Sequence, residues 1–163
     1  MAMVQPLTDS SFWFIVERAG QIYRFDNDAN SNALTPVLDI SGQVTVSLEF
    51  GLTGFAIHPL YPDDNRVFLL YNDANNSGRS TLSSFEVNTS TQVIDSASET
   101  ILLTLDQPAQ NHNGGDLAFG NDGMLYSAFG DGGYDWEQSL NLSNLHGSLI
   151  RIDVDSTPYG IPD

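Results

Sequence analysis

Three histidines are the side chains of this sequence whose ordinary titration lies near neutral pH, and one of them stands where chemistry is expected. His112 lies in Gln110-Asn-His-Asn-Gly-Gly115, a polar stretch between two apolar runs, so its flanks give it no core role. Loops on a β scaffold are where catalytic groups are usually carried. A neutral imidazole there could take a proton as general base, provided that a carboxylate or carbonyl fixes its tautomer. Asp131, in Gly130-Asp-Gly-Gly133, is the candidate partner: the intervening chain runs out and back, returning both residues to the same end of neighbouring strands. The same two residues also read as polar groups solvating a loop end, and spacing alone leaves both readings open. His58, ahead of Pro59 at a strand end, reads as a turn histidine, and His146, ahead of Gly147, as one that packs or caps locally.

Composition removes several other chemistries. With no cysteine there is no disulfide scaffold, thiol nucleophile or cysteine-ligated metal. With no lysine there is no Schiff base, and Gly130–Gly133 is not a phosphate cradle, since no lysine follows it and the local charge is negative. No Gly-x-Ser-x-Gly elbow, P-loop or His-Glu-x-x-His motif is present. Asp26, Asp28 and Asn30 have the opening spacing of a calcium loop but lack its central glycine and distal glutamate, so they read as a solvated turn. No metal ligand is assigned. The Asn-x-Ser matches at Asn75, Asn88 and Asn141 are of a kind that recurs by chance in an Asn-rich chain.

The 21 acidic residues face five basic ones, all arginines, for a formal charge of −16. Nucleic acid and anionic membrane surfaces are disfavoured partners for such a field, which suits neutral or cationic ones. No window is long and apolar enough to span a bilayer. Residues Met1 to Ser11 show neither the basic nor the apolar segment of a signal peptide. The 163 residues are 40% hydrophobic, enough for one domain with a real core.

The elements that must position His112 and Asp131 are strands. Short apolar runs predict strands over Phe12–Glu17, Gln21–Asp26, Pro36–Ile40, Gly54–His58, Val67–Asn72, Thr81–Asn88, Thr100–Leu105, Asp116–Phe119, Met124–Phe129 and Ser148–Val154. Glycine, asparagine and aspartate fill the gaps between them, and only Trp136–Leu145 could hold a helical turn. The fold class is all-β. The hairpin Leu117–Tyr126, with an Asn-Asp-Gly turn, has the character of the inner pair of a propeller blade. Weaker echoes at Phe55–Tyr71 and Phe12–Phe25, roughly 50 to 60 residues apart, suggest repetition. The expectation is one incomplete β-propeller domain, 1–163, of about three blades of antiparallel four-stranded sheets, with units near 11–45, 50–106 and 112–155.

Four stretches in order carry a resemblance. They are Glu17-Arg-Ala-Gly-Gln-Ile22, Glu49-Phe-Gly-Leu-Thr-Gly-Phe-Ala-Ile-His-Pro59, His112–Tyr126 running into Gly130–Gly133, and Leu149-Ile-Arg-Ile-Asp-Val-Asp155 with Pro158–Pro162 behind it. In these the chain resembles the glucose/sorbosone dehydrogenase family of soluble quinoprotein sugar dehydrogenases. The resemblance implies a six-bladed β-propeller that oxidises the C1 hydroxyl of an aldose with pyrroloquinoline quinone (PQQ) and calcium, exported to the periplasm or secreted. It matches His112 to the general base, Asp131 to the carboxylate that orients it, and Gln110 and Asn111 to substrate-side contacts. It assigns no cofactor-binding residue here: the arginines, lysines and calcium ligands of the family lie mostly in later blades, so the chain is expected to be inactive alone. An alternative is a half-propeller that homodimerises into a six-bladed ring and binds sugars or a protein without redox chemistry.

Overall fold

The computed structural model describes residues 2–134 and 136–162, so the expected unit at 1–163 reaches one residue beyond it at each end. Eleven strands are present among these residues: β1 (Ala2–Val4), β2 (Phe12–Glu17), β3 (Gln21–Asp26), β4 (Leu34–Asp39), β5 (Leu52–Ile57), β6 (Arg66–Asp73), β7 (Arg79–Asn88), β8 (Val93–Leu105), β9 (Leu117–Phe119), β10 (Leu125–Ala128) and β11 (Leu149–Ile152). They form two four-stranded antiparallel sheets, β1-β2-β3-β4 and β5-β6-β7-β8, and a three-stranded one, β9-β10-β11. Strands β1, β5 and β9 are the innermost of their sheets and neighbour one another in turn, which makes the fold a partial β-propeller.

Sequence pattern explains the stacking. Strand β6 reads Arg-Val-Phe-Leu-Leu-Tyr-Asn-Asp, a continuous apolar run, because it is covered on both faces. Val67, Leu69 and Tyr71 enter one core with Phe12, Phe14 and Val16 of the first sheet, while Phe68 and Leu70 enter another with Leu117, Leu125 and Ile152 of the third. Alternation along one strand therefore welds three sheets together. Phe68 and Phe119 meet edge to face at 5.4 Å, and Phe14 and Phe55 at 5.5 Å.

Two elements differ from expectation for physical reasons. Strand β1 has three residues, too few to show a period, and exists by pairing with Phe14–Val16 of β2. Strand β8 starts at Val93 rather than Thr100, because its first half is the polar, mostly exposed edge of its sheet and carries no apolar alternation. The expected helical turn is a short 3-10 segment, Trp136–Leu140, and a second one, Ala74–Asn76, lies where only a turn was expected, with the Asp73 side chain accepting from the Asn75 amide.

The β9-β10 hairpin decides where the candidate residues go. Leu117 pairs with Ser127 and Phe119 with Leu125, and the Gly115 amide extends the ladder by donating to the Ala128 carbonyl at 3.0 Å. The residues just before β9 and just after β10 thus share one end of the propeller. His58 and Asp155 lie at the other end.

Candidate functional site

His112 is held in a left-handed backbone conformation, φ 54°, by contacts from both sides. Its carbonyl accepts from the Gly132 amide at 3.0 Å, and its own amide donates to Glu49 Oε2 at 2.6 Å. Its Nδ1 lies 3.0 Å from Asp131 Oδ1. That oxygen also accepts from the Gly133 amide at 2.9 Å. The Gly133 N–H and then the His112 ring hold the Asp131 carboxyl below the usual carboxylate range. Asp131 Oδ1 therefore serves as an acceptor for the Gly133 amide and, when the ring carries its proton on Nδ1, for His112. The His112 side chain is 59% exposed.

Glycine makes this junction possible. A Cβ on Gly130 would fall 1.9 Å from the His112 carbonyl oxygen, and one on Gly133, whose φ is 70°, would fall 2.4 Å from Asn111 Oδ1. The two loops are locked together backbone to backbone.

The structure brings all four sequence-nominated residues into one loop pair. The Gln110 side chain accepts from Ser47 Oγ at 2.6 Å through Oε1, and the Gln110 backbone carbonyl accepts from the Glu49 amide at 3.0 Å. Asn111 is half-buried against Gly133. Beside them lies a groove of about 470 Å³ lined by Arg18, Leu48, Glu49, Leu52, Thr53, Gly114 and Gly115. A larger concavity, about 670 Å³, sits against the β7-β8 edge around Asn88 and Ile94, away from these groups.

Glu49, Arg18 and Ser47 were given no role by the sequence. Glu49 is 63 residues from His112, and no local period links them. Arg18, in the β2-β3 turn, donates Nε to the Phe50 carbonyl at 2.8 Å and Nη2 to the Leu48 carbonyl, clasping the segment on either side of Glu49.

The other histidines have defined places. His146 Nε2 donates to the Asp106 carbonyl at 3.1 Å, a partner 40 residues away, so its side chain joins two distant loops rather than capping its own. His58 is more than a turn residue: it is buried between the second and third sheets, edge-on to Phe119 at 5.4 Å. Its ring nitrogens lie 3.6 Å from Asp64 and 3.6 Å from Asp155. By residue type this is a metal-ligand set, but the Arg66 guanidinium supplies the positive charge, donating to Asp64 and to Asp155 Oδ1 at 2.6 Å. Burial, with smaller opposing contributions from the carboxylates, pulls the His58 imidazole below its ordinary value. At the Asp26–Asn30 turn, Asp26 pairs with Arg24 at 2.6 Å and Asp28 Oδ1 accepts from the Asn30 amide at 2.7 Å.

Comparison with known proteins bears on the chain as a whole. The family model "Glucose / Sorbosone dehydrogenase" matches residues 2–160. The PQQ-bound aldose sugar dehydrogenase of Streptomyces coelicolor superposes with a TM-score of 0.72 at 25% identity, over 86% of this chain and 41% of that one. The soluble aldose sugar dehydrogenase of Escherichia coli, in its apo form, superposes at 0.77 over 97% of this chain and 44% of that one; at 20% identity it speaks for the fold. Human Hedgehog-interacting protein is 30% identical over 91% of this chain and 24% of its own length. The chain spans about a quarter of the length of the curated relatives it matches. The match over nearly the whole chain and the shared propeller geometry lead to one conclusion: the chain belongs to the glucose/sorbosone dehydrogenase family.

Proposed function

We propose that this chain carries the proton-handling part of an aldose-oxidising site, with His112 as general base and Asp131 as the carboxylate that orients it. The observation that carries the reading is the 3.0 Å contact between His112 Nδ1 and Asp131 Oδ1, with the ring exposed beside an open groove. A hydroxyl proton passes to Nε2 while Nδ1–H stays bonded to Asp131, which offsets the charge that develops on the ring. Gln110 and Asn111, in the same loop, stand at the substrate side.

The residues present do not fit PQQ. The quinone bears three carboxylates, and a site for it needs several cations. Arg24, Arg66, Arg79 and Arg151 each pair with aspartates, and Arg18 is spent on the carbonyls of Leu48 and Phe50. Nor do the described residues offer an uncompensated calcium set, since Arg66 fills the best cluster. The chain by itself is expected to be inactive.

The test is NMR of the His112 ring with an aldose at about 10 mM, above the usual KM range. A saturable shift at His112, lost in Asp131→Asn, supports the reading. Absence of any shift overturns it. In parallel, a quinone-absorbance titration with calcium is expected to show no one-to-one binding.

The engaged arginines and the Hedgehog-interacting relative favour a second reading, a non-redox binding module for a sugar or protein. Two copies closing a ring would cover the open sheet edges. A doubled native mass at micromolar concentration supports that ring, and a monomer at every concentration removes it.

A further inference from the structure

We infer that Glu49 is a positioning residue for His112, acting through the histidine's backbone N–H. This rests on the reading of His112 as the base. A left-handed φ of 54° is unfavourable for a residue with a Cβ, so something must hold the backbone there. The Glu49 carboxylate does so with a charge-assisted bond of 2.6 Å to the His112 amide. On the other side, the Gly132 amide donates to the His112 carbonyl at 3.0 Å. The peptide planes flanking the His112 Cα are thereby fixed, and the direction of the Cα–Cβ bond with them.

Glu49 can serve as an anchor because it is itself anchored. Arg18 bonds the carbonyls of Leu48 and Phe50, the residues immediately before and after it. The Glu49 amide donates to the Gln110 carbonyl at 3.0 Å, and the Phe50 amide to the Ser47 carbonyl at 2.7 Å. The path runs from a turn of the first sheet (Arg18), through the link to the second (Glu49), to the loop that leads into the third (His112). Three sheets thus fix one imidazole, and Glu49 does this without touching the ring, so it is distinct from Asp131.

The experiment compares the folded chain with Glu49→Ala and Glu49→Gln by amide hydrogen exchange and by ring 15N shifts of His112. Glu49 is exposed, so neither variant opens a core. Expected in Glu49→Ala is a roughly tenfold or greater acceleration of exchange at the His112 amide, with core amides such as Leu69 unchanged. The Nδ1–H tautomer should weaken in step, and Glu49→Gln, whose carbonyl still accepts, should restore most of both. Exchange at His112 that is equally fast in the unsubstituted chain and Glu49→Ala overturns the contact. Faster exchange with an unaltered ring tautomer overturns the positioning role. A His112 ring that shows no bond to Asp131 in the unsubstituted chain brings down the general-base reading, and with it the role of Glu49, even where the amide is protected.

Discussion

Gly130 passes so close to His112 that a Cβ on it would fall 1.9 Å from the histidine's carbonyl oxygen. The His112–Asp131 pair depends on this approach, because Asp131 follows Gly130 directly and can reach Nδ1 only if the two backbones touch. Gly130→Ala is expected to push the loops apart. It should cost about 1–3 kcal/mol in urea denaturation, the usual penalty of overpacking, and remove the Nδ1 signature of the pair from the His112 ring spectrum.

Asp131→Asn removes the charge and keeps the shape. An amide can present either its oxygen or its nitrogen to Nδ1, so the ring loses its tautomer preference. In any assembly that turns over aldose, this change and His112→Gln are each expected to lower the rate by about 100- to 10,000-fold. The pH dependence has a definite sign: the Asp131 carboxyl is held low, so its contribution to the fold is present above the ordinary value of about 3.9 and is lost as pH falls through its folded value. Loss of the pair should therefore appear as pH falls below the ordinary carboxylate range, followed by the Asp131 carboxyl 13C signal.

At the far end of the propeller, Arg66 ties the second sheet to the third by donating Nη1 to the Val154 carbonyl at 2.6 Å as well as bonding Asp64 and Asp155. Burial alone would raise the Asp64 carboxyl, but the Arg66 donors outweigh it and hold it low. Arg66→Ala leaves that carboxylate without its cation and is expected to destabilise by about 1–3 kcal/mol, read by thermal or urea unfolding. Asp155→Asn, at an exposed carboxylate, should cost less than about 1 kcal/mol.

His58 gives the seam a pH dependence of its own. Its folded value lies below the unfolded value of about 6.5, so the unfolded chain binds the proton first. Stability is then complete above that pH and declines as pH falls toward the folded value. His58→Gln should flatten this limb of a stability-against-pH curve, and an unchanged curve would assign the dependence to other groups.

Phe68 enters the second core fully buried, against Phe119 and beneath the Arg66 guanidinium at 5.7 Å. Phe68→Ala is expected to cost about 3–5 kcal/mol, enough to unfold a marginal domain at ambient temperature, and circular dichroism in urea would show it.

The strand runs were legible because short apolar runs broken by glycine and asparagine are a local property. So were the nearness of His112 and Asp131, which follows from one hairpin between them, and the family, which rests on motif order. Strand β1 and the first half of β8 were not legible, since each exists through its partner rather than through its own side chains. Nor was His58, whose place in a buried seam depends on Asp155, 97 positions away by the numbering of the chain. Above all, Glu49 and Arg18 were silent. Their bonds to His112 and to the flanking carbonyls join the first sheet, the link to the second and the approach to the third, and only the stacking of those sheets brings them together. Sequence alone brought His112 and Asp131 together across one hairpin, a local step; packing of the blades brought Glu49 to the His112 amide, which no local pattern could do.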